Sequence, residues 1–347
     1  MIHVGNEVEP SNELGSEYFL QRKSLLDGEL KYFLKHDIIN ADTQMQSLSE
    51  MGVDIEYGHL SDRKSIPALL KAGQSIRRIC RKENIDLVHV LWGSTTALMT
   101  ILFSLRPVII SFCGSDLLGN KDAKGNLTRS GKLNRTLSKF ASRFAKHNIT
   151  KSAQMKRFLP GKAQLYTTVI PNGVNLNGFY PMDINKARKN IGFDLFKKYV
   201  LFFYTEGQVV KNKKLALEVM DIVKNTLPGT ELIIATKIPH EKLIYYYNAC
   251  DVMILTSFHE GSNNSLKEAN ACNLPVVSLD IGDAKERLED ISNSFVIESP
   301  NPEPFAEKVV EVLRSQKRSD GEKASPEVSV ESVARQVIQV YQKALKR

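Results

Sequence analysis

The sequence predicts an α/β protein built from two doubly wound, parallel-sheet domains, and three observations predict it. Short apolar runs alternate with amphipathic stretches at βαβ spacing from Ile85 onward. At 347 residues the chain is too long for one ordinary core, so about two domains are expected. Between the two sets of strands, Val169-Ile170-Pro171-Asn172-Gly173-Val174-Asn175 runs on to Phe179-Tyr180-Pro181, a cluster of turn residues that marks a boundary. The first domain is therefore assigned residues 1–174 and the second 175–327.

Taken in order, the first fifty residues say least. Met1 to Val4 reads as a short strand, Leu30 to Leu48 as a helix, and Met51 to Tyr57 as a Gly-punctuated strand. An amphipathic helix follows from Ser65 to Asn84, with Ile66, Leu69, Leu70, Ile76, Ile79 and Cys80 on one side. The strand Ile85–Leu91, the buried helix Ala97–Leu105 and the buried strand Pro107–Phe112 complete the alternation, which puts Cys113-Gly114-Ser115-Asp116 at a carboxyl-end loop where ligands bind. The second set of strands opens at Tyr199–Tyr204 and continues through Leu232–Ala235, Val252–Leu255, Val276–Leu279 and Phe295–Ile297. Arg314 to Glu327 reads as a charged surface loop, and Val328 to Leu345 has helical periodicity.

Composition narrows the class. With 42% hydrophobic and 25% charged residues the chain is an ordinary globular one. No apolar run approaches the roughly eighteen residues of a spanning helix, and the N-terminus has neither a basic nor an apolar leader pattern. Cys80, Cys113, Cys250 and Cys272 form no Cys-x-x-Cys pair and read as reduced thiols, so a cytoplasmic location is expected. Scattered histidines and the lack of any Asp-x-Asp pattern point to no metal, and His89 and Trp92 read as structural. The net charge of +8 concentrates between Leu117 and Leu165, where twelve Lys or Arg residues face one Asp. Lys132, Arg135, Lys139, Arg143 and Lys146 recur at helical spacing. They suggest attraction to an anionic membrane surface at the cytoplasmic face, since Phe140 and Phe144 read as core and leave no stacking platform for nucleic acid.

The chemistry concentrates between Asp251 and Gly282, a strand, loop, helix and strand. Ser262, Asn263, Asn264 and Ser265 can cap the helix, and the backbone N–H groups behind them form an anion site. Glu260 and Glu268 flank that site with Lys267 beside the second; carboxylates there suit sugar hydroxyls rather than phosphate.

The Glu260-x7-Glu268 spacing, continued by Ala271-Cys272-Asn273-Leu274-Pro275-Val276-Val277-Ser278-Leu279-Asp280-Ile281-Gly282-Asp283, closely resembles the signature of family four, the retaining nucleotide-sugar glycosyltransferases. The Ile170–Asn175 segment is similar to the same family's crossing segment, with Asn175 for the usual acid. The resemblance implies the GT-B arrangement, two Rossmann-like domains facing across a cleft, with the last helix, 328–347, returning to the first domain. It implies hexose transfer from a nucleotide diphosphate sugar to a saccharide or lipid-linked saccharide in cell-surface glycan synthesis, with no cofactor beyond the donor.

By the same resemblance Glu260 faces the donor sugar, Glu268 holds the ribose, and the Gly261–Ser265 backbone contacts sugar and diphosphate. Lys211 and Lys267 would neutralise the departing diphosphate, and Cys113 and Asp116 would line the sugar site. Two positions depart from the family pattern: Cys113 stands where a His is usual, and Gln208 is the nearest occupant of an Arg position that would pair the diphosphate. A glycine-rich donor loop has only Gly5 and Gly15 as candidates. Two other classes stay open: a different reaction on the same fold, such as a nucleotide-sugar epimerase or a sugar phosphorylase, and a non-catalytic nucleotide-sugar-binding subunit, which the Cys113 and Gln208 departures motivate.

Overall fold

A computed structural model describes residues 2–4, 31–32, 39–56, 65–122 and 125–346; the Gly5 and Gly15 candidates lie outside the described residues. Twelve strands are described: β1 (Ile2–Val4), β2 (Lys31–Tyr32), β3 (Asp54–Ile55), β4 (Val88–Val90), β5 (Val108–Phe112), β6 (His147–Thr150), β7 (Thr167–Val169), β8 (Lys198–Phe203), β9 (Thr230–Ala235), β10 (Val252–Leu255), β11 (Val276–Leu279) and β12 (Phe295–Ile297). They form two large sheets, all parallel. One has the order β4-β5-β6-β7, the other β1-β9-β8-β10-β11-β12, and β2 pairs with β3 separately. The expected first strand thus exists, but it lies beside β9 in the second sheet. The expected helix from Leu30 begins only at Ile39 and ends at Glu50, because Lys31–Tyr32 is taken up by pairing with Asp54–Ile55.

In the first domain the alternation of side chains along β5 sorts the core into two layers. Val108, Ile110 and Phe112 pack against Ile76, Ala97 and Ala141, whereas Ile109 faces Val333, Val337 and Tyr341 of the last helix, Val330–Leu345. Burial on both faces is why these strands read as continuous apolar runs. His89 binds the two layers together, its Nδ1 2.9 Å from the Tyr341 hydroxyl and its Nε2 2.6 Å from Ser111 Oγ, a structural role.

The second domain has one large core around β8, β9, β10 and β11, in which Val200, Leu201, Leu232, Ile233, Val252 and Met253 are wholly buried. The chain crosses between domains twice, and the two crossings are paired. Val174 N–H donates to the Val328 carbonyl at 2.8 Å, and Val330 N–H returns a bond to Val174 at 3.1 Å. Gly173 permits this approach, since a Cβ there would stand 2.7 Å from Val330 Cα. The segment after Ser315 keeps most of its charges at the surface, as expected, Lys317, Glu322, Lys323 and Glu327 being exposed, with one exception. Arg318 turns inward and donates to the carbonyls of Tyr247, Cys250 and Cys272 at 2.6–2.9 Å, and this desolvation lowers its pKa to about 10.

Candidate active site

The second domain supplies a loop and a helix mouth. β10 ends at Leu255, and Thr256 Oγ1 donates to the carbonyls of Lys211 and Asn212 at 2.9 and 3.2 Å. Phe258 N–H also reaches the Val210 carbonyl at 2.9 Å, so the loops after β8 and β10 are stitched side by side. This brings Lys211 Nζ to 2.7 Å from Glu260 Oε1, where Ser257 Oγ also donates at 2.9 Å. Asn263 caps the helix Asn264–Ala271 with Oδ1 accepting from Leu266 N–H at 3.2 Å. The remaining N–H groups of the first turn can then meet an anion.

Glu268 is held by a different set of partners. The Tyr247 hydroxyl donates to its Oε2 at 2.6 Å, His240 Nε2 lies 3.4 Å from Oε1, and Ser265 reaches the same phenol. The carboxylate raises the His240 pKa by hydrogen bonding, while burial first and Glu268 second push the Tyr247 phenol well above its ordinary value. Asn264 faces the other domain, accepting from Asn172 Nδ2 at 3.3 Å.

Lys267 does not stand beside Glu268 at the helix mouth. It is 1% exposed and donates to Ser262 Oγ at 2.7 Å; Ser262 donates in turn to Asp283 Oδ2 at 2.8 Å. Burial lowers the Lys267 pKa to about 8, with Asp283 opposing the shift. The lysine expected to neutralise phosphate is instead a strut under the loop.

In the first domain, Asp116 corrects its expected role as well. It is fully buried, and its carboxylate accepts from the N–H groups of Gly93 at 2.8 Å, Gly114 at 2.8 Å and Cys113 at 3.1 Å. It shapes the Cys113–Asp116 turn from within and has no face left for a sugar. Cys113 opens onto the cleft, but the surrounding protein and the Asp116 carboxylate push its thiol up to about 12, so it stays neutral. The domains touch here: a Cβ on Gly261 would stand 2.9 Å from the Cys113 carbonyl, and Gly282 N–H donates to Gln154 Oε1 at 3.1 Å.

Gln208 closes its own loop, its Oε1 accepting from Thr205 N–H at 3.3 Å, and Lys213 lies 4.8 Å over the Tyr204 ring. Ser257, Tyr247 and Asp283 join the candidate site although sequence reasoning singled out none of them for it, and His240, expected only as part of a carboxyl-end loop beside the nucleobase, stands beside Glu268. Asp283 stood at the end of the matched stretch and could have been found; His240 and Tyr247 carry no local pattern. Among the described residues no three His, Cys, Asp or Glu side chains are grouped to hold a metal ion.

The basic stripe is also rearranged. The helix runs only from Arg129 to Ala141, so Arg143 and Lys146 lie beyond it, and Arg135 folds over the Phe158 ring at 4.6 Å. Phe140 and Phe144, expected in the core, are 48% and 58% exposed and tilt against each other at 5.0 Å.

Two parallel-sheet, Rossmann-like domains, one facing the other, are the GT-B arrangement of glycosyltransferases. The model described as Glycosyltransferase Family 4 matches residues 36–177 and the one described as Glycosyl transferases group 1 matches 217–326, together well over half of the chain. The chain belongs to the family-four type of glycosyltransferase. It is 25% identical to an uncharacterized glycosyltransferase of Methanocaldococcus jannaschii, over 82% of this chain and 83% of that one. It is 21% identical to the N,N'-diacetylbacillosaminyl-diphospho-undecaprenol alpha-1,3-N-acetylgalactosaminyltransferase of Campylobacter jejuni, over 85% of each. Among solved structures, sucrose-phosphate synthase from Thermosynechococcus elongatus superposes with a TM-score of 0.73 at 14% identity, covering 91% of this chain and 99% of that one. Among the described residues no helix is long and apolar enough to cross a membrane.

Proposed function

We propose that the protein is a retaining glycosyltransferase that moves a hexose from a nucleotide diphosphate sugar to a hydroxyl of a saccharide or lipid-linked saccharide in cell-surface glycan synthesis. One observation carries this: Glu260 and Glu268 sit at a single capped helix mouth, each oriented by its own partners, Lys211 and Ser257 for one and Tyr247 and His240 for the other. Two independently held carboxylates suit two sets of hydroxyls, the transferred sugar and the ribose, with the diphosphate at the helix N-terminus between them. Little covalent work falls to the protein. It orients the donor, and the helix mouth with Lys211 stabilises the leaving diphosphate without a divalent ion while the acceptor attacks the face the diphosphate leaves.

The acceptor is proposed to be met at the anionic cytoplasmic face of a membrane. Exposed Lys132, Arg143 and Lys146 lie around the exposed side chains of Leu133, Phe140 and Phe144, a pairing of cations with apolar groups that fits a lipid interface better than nucleic acid. Each such cation contributes about 1 kcal/mol near an anionic leaflet.

The test is an assay of donor consumption with matched UDP-, GDP- and ADP-sugars, with and without a lipid-linked saccharide and with and without chelator. Anomeric retention and turnover that survives chelation support the proposal. Conversion of the donor sugar without transfer favours an epimerase, and tight nucleotide binding without any turnover favours a binding subunit.

A further inference from the structure

Lys151 is a second lysine at the seam between the domains, and the family pattern does not account for it. Thr150, the last residue of β6, is in register with Phe112 of β5, so Lys151 and Cys113 leave the sheet side by side at its carboxyl edge. Gly261 and Gly282 of the other domain close on this point, through the Cys113 carbonyl and the Gln154 side chain three residues past Lys151. Lys151 is only 3% exposed. Among the described residues its ammonium has no hydrogen bond or ion pair.

The Lys151 Nζ is not among the fully enclosed unpartnered atoms, so the tip reaches the seam, where a cation with this little water around it gains from an added anionic partner. The carboxylate that acts on Lys151 is Asp116, and its oxygens are already occupied by the N–H groups of Gly93, Cys113 and Gly114. The neighbouring Cys113 thiol is held neutral, and Lys267 adds a like charge from across the seam. Burial accordingly lowers the Lys151 pKa. Among the described residues the positive charge has no partner, and it stands next to the Cys113 turn, which meets Gly261 of the Glu260–Gly261 loop.

Resting on the nucleotide-sugar reading above, we propose that Lys151 is a substrate-binding residue that pairs with an anionic oxygen, carboxylate or phosphate, on the saccharide lying against the Cys113 turn. A neutral hexose alone would leave the ammonium unpaired, so the site selects a charged saccharide, either as the transferred sugar or as the acceptor. This also gives a reason for Cys113: a small neutral side chain leaves room for an ion pair beside it.

The experiment compares wild type with Lys151→Met and Lys151→Arg by calorimetry, using free UDP, GDP and ADP, the pair UDP-glucose and UDP-glucuronate, and glucose 1-phosphate added to the nucleotide-saturated protein. If the charge is on the donor, wild type prefers UDP-glucuronate by about tenfold to a hundredfold, the worth of a charge-assisted hydrogen bond, and Lys151→Met erases the preference. If it is on the acceptor, the two donors bind alike, and glucose 1-phosphate binds wild type but not Lys151→Met. In either case Lys151→Arg retains part of the effect and Lys151→Met keeps or raises the thermal midpoint; a lowered midpoint with every ligand weakened alike would make Lys151 a structural residue and overturn the proposal. Loss of free-nucleotide affinity in Lys151→Met equal to the loss with sugars puts the anion on the diphosphate and overturns the assignment. So does indifference of all the probes to the substitution. Failure of wild type to bind any of the three nucleotides removes the nucleotide-sugar reading itself, and this inference with it.

Discussion

The two halves of the cleft are built on opposite principles. On the second domain, the polar side chains at the helix mouth are matched: Glu260 with Lys211 and Ser257, Glu268 with Tyr247 and His240, Lys267 with Ser262 and Asp283. On the first domain, Asp116 gives its carboxylate to backbone N–H groups, and Lys151 has no hydrogen-bond or ion-pair partner among the described residues. The matched half is preorganised, each of these side chains already having a protein partner. The unmatched half is where selectivity can reside, because a buried charge left unpaired penalises the wrong ligand more than a satisfied network does.

Breaking the matched half should have the largest effect. Glu260→Gln is expected to lower turnover by about a hundredfold to a thousandfold, the scale of losing one preorganised electrostatic contact, with free-nucleotide affinity little changed. Glu268→Gln should instead weaken nucleotide binding by about 1–3 kcal/mol, because an amide reproduces only part of what a carboxylate accepts. Calorimetry beside steady-state kinetics separates the two, and equal losses of nucleotide affinity would show that the carboxylates do not divide the roles.

Next in size is Lys267→Met, which tests whether that lysine is a strut or a ligand. Its folded pKa of about 8 lies below the ordinary lysine value of 10.5, so the folded state holds fewer protons than the unfolded one between those limits. The destabilisation is therefore fully present below pH 8 and is relieved as pH rises toward 10.5. Lys267→Met should be more stable than wild type at pH 7 by up to roughly 3 kcal/mol, less the lost bond to Ser262, and the advantage should shrink by pH 10. Denaturant unfolding at both pH values measures it; a pH-independent difference, or a collapse of nucleotide affinity, would restore Lys267 to the diphosphate.

Asp116→Asn should lower stability by about 1–3 kcal/mol, since buried N–H groups lose a charged acceptor and the new amide donor has no partner. Nucleotide affinity should change little. Loss of affinity at an unchanged thermal midpoint would mean that Asp116 touches ligand after all. The smallest effect is expected at His240, whose pKa Glu268 raises. Its contribution is fully present below the unfolded imidazole pKa and is lost as pH rises through the higher folded one. With a side chain 43% exposed, screening limits it to a few tenths of a kcal/mol. Thermal midpoints of wild type and His240→Gln should therefore differ slightly at pH 5 and coincide at pH 9.

By itself the sequence determined what depends on neighbours along the chain. Buried parallel strands announce themselves as short apolar runs, so β5, β8, β9, β10 and β11 were legible, as was the capped helix after Asn263. The Glu260 to Glu268 spacing was legible for the same reason, being set within one loop and one helical turn. Tertiary structure alone decided the rest. Whether a lysine faces solvent or core depends on what packs over it, so Lys267 and Arg318 turned inward while Phe140 turned out. Which strand joins which sheet is a long-range choice, and β1 joined β9 more than two hundred residues away. The ends of β4, β5 and β6, distant in sequence, converge on a single point only when the sheet forms, and that convergence leaves Lys151 beside Cys113 with its charge unmatched.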